Sequence, residues 1–316
     1  MSKKIAFIFP GQGAQYPGMG HDFFAAHPEA KAVFKEADEI LGTSFSKTIF
    51  EGSKEELTQT KNSQLAIFIT SIAILRVVEA LYPEIQPSVC AGLSLGEYSA
   101  LVAAKKLSFA DALLIVKARG ESMQKACETH PGTMRVVLGL ELPVVEEALL
   151  SIDGAWVANL NCPGQIVISG TQEGIEKAST VLSEKGARRV IPLSVSGAFH
   201  SGLMQTAQDH MRPLIEECCL KPSFVEIAMN AKGNFIHEPT QIRSCMIDQV
   251  THPVFWQKGV ETMMNEGIEL FIEMGPGKTL AGMNKKIGVS SPTISIEKRE
   301  DLEALTQGAF DAVTQK

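Results

Sequence analysis

Gly92-Leu93-Ser94-Leu95-Gly96 is preceded by the apolar run Ser88-Val89-Cys90-Ala91 and followed by the helix-forming stretch Glu97-Tyr98-Ser99-Ala100-Leu101-Val102-Ala103-Ala104. Strand, glycine-flanked turn and helix, in that order, are the setting of a G-x-S-x-G nucleophile elbow. The glycines permit a sharp turn that pushes the serine side chain into a cleft. The helix that follows aims its first unpaired N–H groups, and its positive dipole end, at the same spot. Such donors suit the oxyanion that forms when serine attacks a carbonyl. The alternative is a glycine-rich strand-to-helix turn carrying an incidental serine. The flanking context favours an enzyme that forms an acyl-serine.

On either side of this turn, short strands alternate with helices. Residues 5–9 read as an apolar strand ending in Pro10-Gly11-Gln12-Gly13, and helical patterns cover 28–41 and 65–81. Ser108-Phe109-Ala110-Asp111 opens a further helix, reaching about residue 126, with a capping-box-like pattern. This alternation predicts an α/β fold with a hydrolase-like, mainly parallel sheet covered on both faces. After Cys127 the pattern changes: strand 133–138, helix 143–151, strands 156–160 and 165–169 around Pro163-Gly164, helix 174–185 and strand 189–193. The order β-α-β-β-α-β is ferredoxin-like. The expected organisation is a large α/β catalytic domain from residues 1–127 and 197–316, with a small ferredoxin-like (α+β) subdomain inserted at 128–196. A cleft between two such bodies is a favoured ligand site.

Composition narrows the function classes. The chain has 316 residues, 45% hydrophobic and 21% charged, with net charge −7 and no basic run, which argues against a nucleic-acid partner. Six cysteines without a C-x-x-C pair read as reduced thiols of a cytoplasmic protein, and no His/Cys cluster has metal-ligand spacing. Lys3 and Lys4 precede only five apolar residues, too few for a signal peptide. The apolar segment 65–81 is interrupted by Arg76 and Glu79, so it reads as a buried core helix and not a membrane span.

A serine nucleophile needs a base. His200, within Ser196-Gly197-Ala198-Phe199-His200-Ser201-Gly202, falls where the chain re-enters the large domain, at the expected cleft edge. His252, before Pro253, is the alternative. Arg119 shares one helix face with Ala112, Val116 and Met123, so its guanidinium is directed inward. A buried guanidinium needs an anionic partner, either a carboxylate of the protein or the carboxylate of a substrate. Two other motifs are incomplete: Tyr16 occupies the third glycine of a dinucleotide fingerprint begun by Gly11-Gln12-Gly13, and Ile272 the first glycine of a P-loop ending in Gly277-Lys278-Thr279.

Taken in order along nearly the whole chain, these landmarks resemble the malonyl-CoA:acyl carrier protein transacylase family. They are Phe9-Pro10-Gly11-Gln12-Gly13-Ala14-Gln15, Gly92 to Leu101, Arg119-Gly120, Asn161-Cys162-Pro163-Gly164-Gln165, Gly197 to Ser201, Gln249 ahead of Pro253-Val254, and Met274-Gly275-Pro276-Gly277. The resemblance implies Ser94 as nucleophile, His200 as its base, and the main-chain carbonyl of Gln249 as the group orienting the imidazole. It further implies an oxyanion hole from the N–H groups of Gln12 and Leu95, Arg119 holding the malonate carboxylate, and substrate contacts from Phe199 and Asn161. The bulk of Phe199 should disfavour an α-methyl branch. Malonyl-CoA is then a substrate, acyl carrier protein the acceptor, and no metal or redox cofactor is required. The chain is expected to act as a monomer. One departure is Leu93, where the family often has histidine; its effect is expected on pocket polarity.

The alternatives are a lipase- or thioesterase-like serine hydrolase, a transferase of another acyl group, and a non-enzymatic carrier-binding module. His200 arrives mid-chain with no obvious acid, and Arg119 suits a dicarboxylic acyl group, which sets the hydrolase second. Carrier protein is typically acidic, as is this chain, so docking requires a local basic patch. Lys185, Arg188 and Arg189, or Lys285 and Lys286, are the candidates, with a solvated surface run as the plainer reading of each.

Overall fold

The computed structural model describes residues 3–310. Strand β1 (Ile5–Phe9) places Ile5, Phe7 and Phe9 in one hydrophobic cluster and Ala6 and Ile8 in another. That alternation requires cover on both faces, as expected of a parallel strand inside an α/β sheet. The other strands are β2 (Val89–Gly92), β3 (Thr133–Leu138), β4 (Ala155–Cys162), β5 (Gln165–Gly170), β6 (Arg189–Pro192), β7 (Glu226–Met229), β8 (Asn234–Phe235), β9 (Leu270–Met274) and β10 (Thr293–Ile296).

The larger sheet has the order β10-β9-β1-β2-β7-β8, parallel throughout except for the β7–β8 hairpin. One face packs against the helix Thr60–Leu81, whose positions are buried almost throughout. Its length and apolar character would suffice to cross a membrane, but here it lies inside the protein, packed against the helices Pro28–Leu41 and Phe109–Thr129. The opposite face is covered by Trp256, Val260 and Met263 of the helix Trp256–Asn265 and by Leu280 and Met283 of the helix Thr279–Ile287.

The smaller sheet is wholly antiparallel, in the order β4-β5-β3-β6, with the helices Leu142–Leu149 and Gln172–Glu184 contributing to its own core. This is the strand order that a ferredoxin-like β-α-β-β-α-β chain produces. β4 is bulged between Val157 and Asn159 and again between Leu160 and Cys162. At the first bulge it bonds outward to Val254, through Leu160 N–H to Val254 O (2.9 Å) and Val254 N–H to Ala158 O (2.8 Å). Bulges re-aim side chains; this one ties the small sheet to the segment behind the large one.

Within the large sheet, the carboxyl ends of four neighbouring parallel strands release Pro10-Gly11-Gln12 after β1, the serine turn after β2, Asn230 after β7 and Gly275 after β9. Ligand sites of α/β sheets gather at that edge.

Candidate active site

Ser94 sits at the turn between β2 and the helix Gly96–Ala103 with φ of 51°, a left-handed conformation that non-glycine residues adopt at a cost. The turn is packed backbone against backbone. A Cβ on Gly96 would overlap the carbonyl of Phe9, and one on Gly11 would overlap that of Leu93. Only glycine lets the β1 turn, which carries Gln12, and the serine turn, which carries Leu95, approach this closely. Among the described residues the main-chain N–H of neither Gln12 nor Leu95 has a backbone acceptor. Asn230, the first residue after β7, clamps the turn: its Oδ1 accepts from Ser94 N–H (2.6 Å) and its Nδ2 donates to Gly92 O (2.7 Å).

His200, itself at φ 57°, brings Nε2 to 2.9 Å from Ser94 Oγ and Nδ1 to 2.7 Å from the main-chain O of Gln249. A carbonyl can only accept, so Nδ1 carries the proton and Nε2 presents its lone pair to the serine hydroxyl. Burial, and then the positive charge of Arg119, push the His200 pKa down to about 4, against the pull of the Gln249 carbonyl. The imidazole is therefore a neutral base at physiological pH. His252 lies elsewhere, exposed, with Nδ1 near Asp248 O and Thr251 Oγ1.

Arg119 lies on the buried face expected of it, beside Ala112, Val116 and Met123, and is 1% exposed. Its partners are neutral. One terminal nitrogen donates to Gln64 Oε1 (2.6 Å); the other donates to both Gln249 Oε1 (2.9 Å) and Ser94 Oγ (3.0 Å). Among the described residues no carboxylate lies within ion-pair distance of it. Burial draws its pKa down, yet a guanidinium stays charged at neutral pH. Of the two partners that the sequence leaves open, a protein carboxylate in direct contact is thus ruled out.

Gln12, Ser94, Arg119, Asn161, Phe199 and His200 all line one cavity of about 230 Å³ between the two sheets. Leu95 and Gln249 are fully buried and do not line it. Asn161 Oδ1 is buried without a protein partner, and Leu93 also faces the cavity. The sequence reading did not single out Gln64, Glu97 or Asn230. Glu97 is fully buried; its Oε1 accepts from Gln249 Nε2 (2.9 Å) and its Oε2 from Asn230 N–H (2.5 Å). Gln249 Nε2 also donates to Ser94 O (2.9 Å). Helix periodicity could have flagged Glu97, since the turn it occupies is otherwise apolar or small.

The acyl transferase domain family matches residues 6–298. A malonyl CoA-acyl carrier protein transacylase of Bacillus subtilis is 44% identical over 308 residues, covering 96% of each chain. The solved structure of a malonyl CoA-acyl carrier protein transacylase from Clostridium perfringens superposes with a TM-score of 0.93 at 35% identity, over 98% of each chain. A malonyl-transacylase solved in complex with its type II PKS acyl-carrier protein aligns with a TM-score of 0.92 at 32% identity, over 96% of this chain and 99% of that one.

Proposed function

The chain belongs to the acyl transferase family, and within it we propose that it moves a malonyl group from coenzyme A, through an acyl-serine, to the phosphopantetheine thiol of acyl carrier protein. The observation that carries this reading is the Arg119 guanidinium. It is buried, positively charged, held by two amides, and 3.0 Å from the nucleophilic oxygen. An acyl group with a carboxylate one methylene beyond its carbonyl supplies the missing counter-charge at that distance, in the planar two-pronged geometry a guanidinium favours. An acetyl group does not.

In the first half-reaction His200 Nε2 takes the hydroxyl proton of Ser94 as Oγ bonds to the thioester carbonyl carbon. The carbonyl oxygen becomes an oxyanion, received by the N–H groups of Gln12 and Leu95. The C–S bond then breaks, and the departing coenzyme A thiolate takes the proton from His200. The second half runs in reverse: His200 deprotonates the carrier thiol, the thiolate attacks the acyl-serine, and Ser94 recovers its proton. Gln249 O holds the imidazolium in place of an acid. Asn161 Oδ1 suits an amide N–H of the pantetheine arm, and Phe199 crowds the position of an α-methyl branch. None of these steps calls on a metal or redox cofactor. The product is the malonyl extender for fatty acid synthesis, made by a monomer acting in the cytoplasm.

The helix Thr279–Ile287 supports one docking patch over the other. Thr279 and Met283 line the cavity, while Lys285 and Lys286 are exposed on the last turn of the same helix. Lys185 is paired with Glu147, and Arg189 lies at the end of β6 away from the cavity-lining Leu193. Lys285 and Lys286 are therefore assigned to the acidic carrier.

Intact-mass measurement after mixing the protein with malonyl-CoA or acetyl-CoA, without carrier, tests the reading. A malonyl adduct that is absent in Ser94→Ala and much reduced in Arg119→Ala supports it. Equal labelling by acetyl-CoA removes Arg119 as selector, and release of free malonate without an adduct replaces transfer by hydrolysis.

A further inference from the structure

Glu97 is the acidic residue nearest in linkage to Arg119, yet it touches no atom of the cavity. It stands behind the site, and each of its oxygens receives an N–H. The Oε2 arm runs to the backbone of Asn230, the residue that clamps Ser94 N–H and Gly92 O. The Oε1 arm runs to the side-chain amide of Gln249. That amide is an oriented object: its NH2 serves Glu97 Oε1 and Ser94 O, leaving its oxygen for Arg119. Reversed, it would set an NH2 against a guanidinium N–H and an oxygen against two acceptors.

From this geometry we infer that Glu97 is a positioning residue for substrate selection: acting through the Gln249 amide, it fixes Arg119 in the pose that receives an acyl-group carboxylate. This rests on the assignment of Arg119 as the carboxylate clamp. The main-chain O of Gln249, which orients His200, is not part of this linkage, so general-base chemistry and carboxylate selection reach Gln249 by separate atoms. The two arms of Glu97 divide likewise. The Asn230 arm sets the serine turn and bears on every acyl donor; the Gln249 arm also touches that turn through Ser94 O, but it alone leads to Arg119 and so weighs most on donors that use the guanidinium.

Both partners of Glu97 are donors, which fits the ionised carboxylate. A proton on either oxygen would face an N–H. Burial pushes its pKa up, and the Asn230 N–H, Arg119 and the Gln249 amide pull it back toward the ionised form. Tyr98, on the same helix, and Cys245, on the helix Pro239–Asp248, are the other titratable groups coupled to it; burial holds both above their ordinary values, neutral at physiological pH.

The test compares acylation rates with malonyl-CoA and acetyl-CoA in the intact protein and in Glu97→Gln. Glutamine keeps the shape but offers one acceptor to two donors. The Asn230 N–H is fixed by the backbone, so the Gln249 amide loses its hold. The malonyl-to-acetyl ratio should fall about tenfold, the scale of one buried donor left unpaired. In Glu97→Gln combined with Gln249→Ala the ratio should fall no further than in Gln249→Ala alone, because the two residues act in series. A purely structural role would lower both rates together and leave the ratio intact, which overturns the inference. Should Glu97→Gln fail to fold, Gln249→Ala alone decides: its malonyl-to-acetyl ratio should fall about tenfold, and an unchanged ratio overturns the inference. No malonyl preference in the unmodified protein overturns the Arg119 clamp itself and this inference with it.

Discussion

One terminal nitrogen of Arg119 lies 3.0 Å from Ser94 Oγ and 2.9 Å from Gln249 Oε1, so a single group touches the serine hydroxyl and the residue whose main-chain O holds His200. Distance then becomes a criterion for the substrate. A carboxylate attached directly to the reacting carbonyl would collide with the nucleophile's own partner. One on a long chain would overshoot the guanidinium. A single intervening methylene fits.

Arg119→Lys should lower the rate of malonyl-CoA acylation by about 10²-fold, the scale of a buried charge-assisted pair broken on one side. Lysine keeps the charge but presents a point donor that cannot reach Gln64, Gln249 and a carboxylate together. Acetyl-CoA acylation should change far less. Stopped-flow release of coenzyme A with each donor measures both.

His200 sets the pH response. Its pKa is lowered from the ordinary 6.5 to about 4 by burial and by Arg119. The acid limb of the acylation rate should therefore fall near pH 4 and not near 6.5. Stability follows by linkage, because the unfolded chain binds the proton at higher pH than the folded one. The contribution of His200 to stability is complete above pH 6.5 and is lost as pH falls from there toward 4. Acylation rate and urea midpoint, both measured from pH 4 to pH 8, check the two statements. A rate limb at 6.5 would mean that the imidazole is wetter than this geometry allows.

How much of this was legible in the sequence depends on the range over which each signal acts. The serine turn is local: five residues, two glycines and the flanking strand and helix suffice, and the strand β2 and helix Gly96–Ala103 stand there. The inward face of Arg119 follows from helix periodicity alone. His200 is favoured over His252 by its place where the chain re-enters the large domain, and packing then brings its Nε2 to Ser94 Oγ while His252 stays exposed. Asn230 had no signal, since it reads as one more turn residue before Ala231, Lys232 and Gly233. It matters because the sheet order puts β7 beside β2. Gln64 was lost for a related reason. The helix begins at Thr60, five residues before the apolar run, and Thr60, Ser63 and Gln64 of its polar start are buried. The helices His21–Ala26, Phe45–Glu51 and Lys54–Thr58 were missed because elements of one or two turns carry too little periodicity and depend on packing.

Two glycines with opposite surroundings test the turn packing. Gly96→Ala puts a methyl group into the Phe9 carbonyl, where relief requires moving backbone. A loss of about 3 kcal/mol is expected, the upper range for overpacking, together with loss of acylation. Gly282, inside the helix Thr279–Ile287, has no atom within 4 Å of an added Cβ. Gly282→Ala should instead gain about 0.5–1 kcal/mol from helix propensity and leave acylation unchanged. Chemical denaturation of the two variants alongside the unmodified chain reads both signs.

Carrier docking separates surface charge from chemistry. Lys285 and Lys286 are exposed at the C-terminal end of a helix that reaches the cavity through Met283. The chain carries a net charge of −7, so an acidic carrier approaches against the overall field and needs this local reversal. Lys285→Glu with Lys286→Glu should raise the KM for carrier protein about tenfold or more and steepen the repulsion at low ionic strength. Transfer from the acyl-serine to free pantetheine, which carries the thiol without the protein, should keep its rate. The same reversal at Lys185, Arg188 and Arg189 should leave the carrier KM near its starting value. If that second set proves the sensitive one, the carrier approaches across the edge of the small sheet, and the thiol must enter from the β6 side of the cavity.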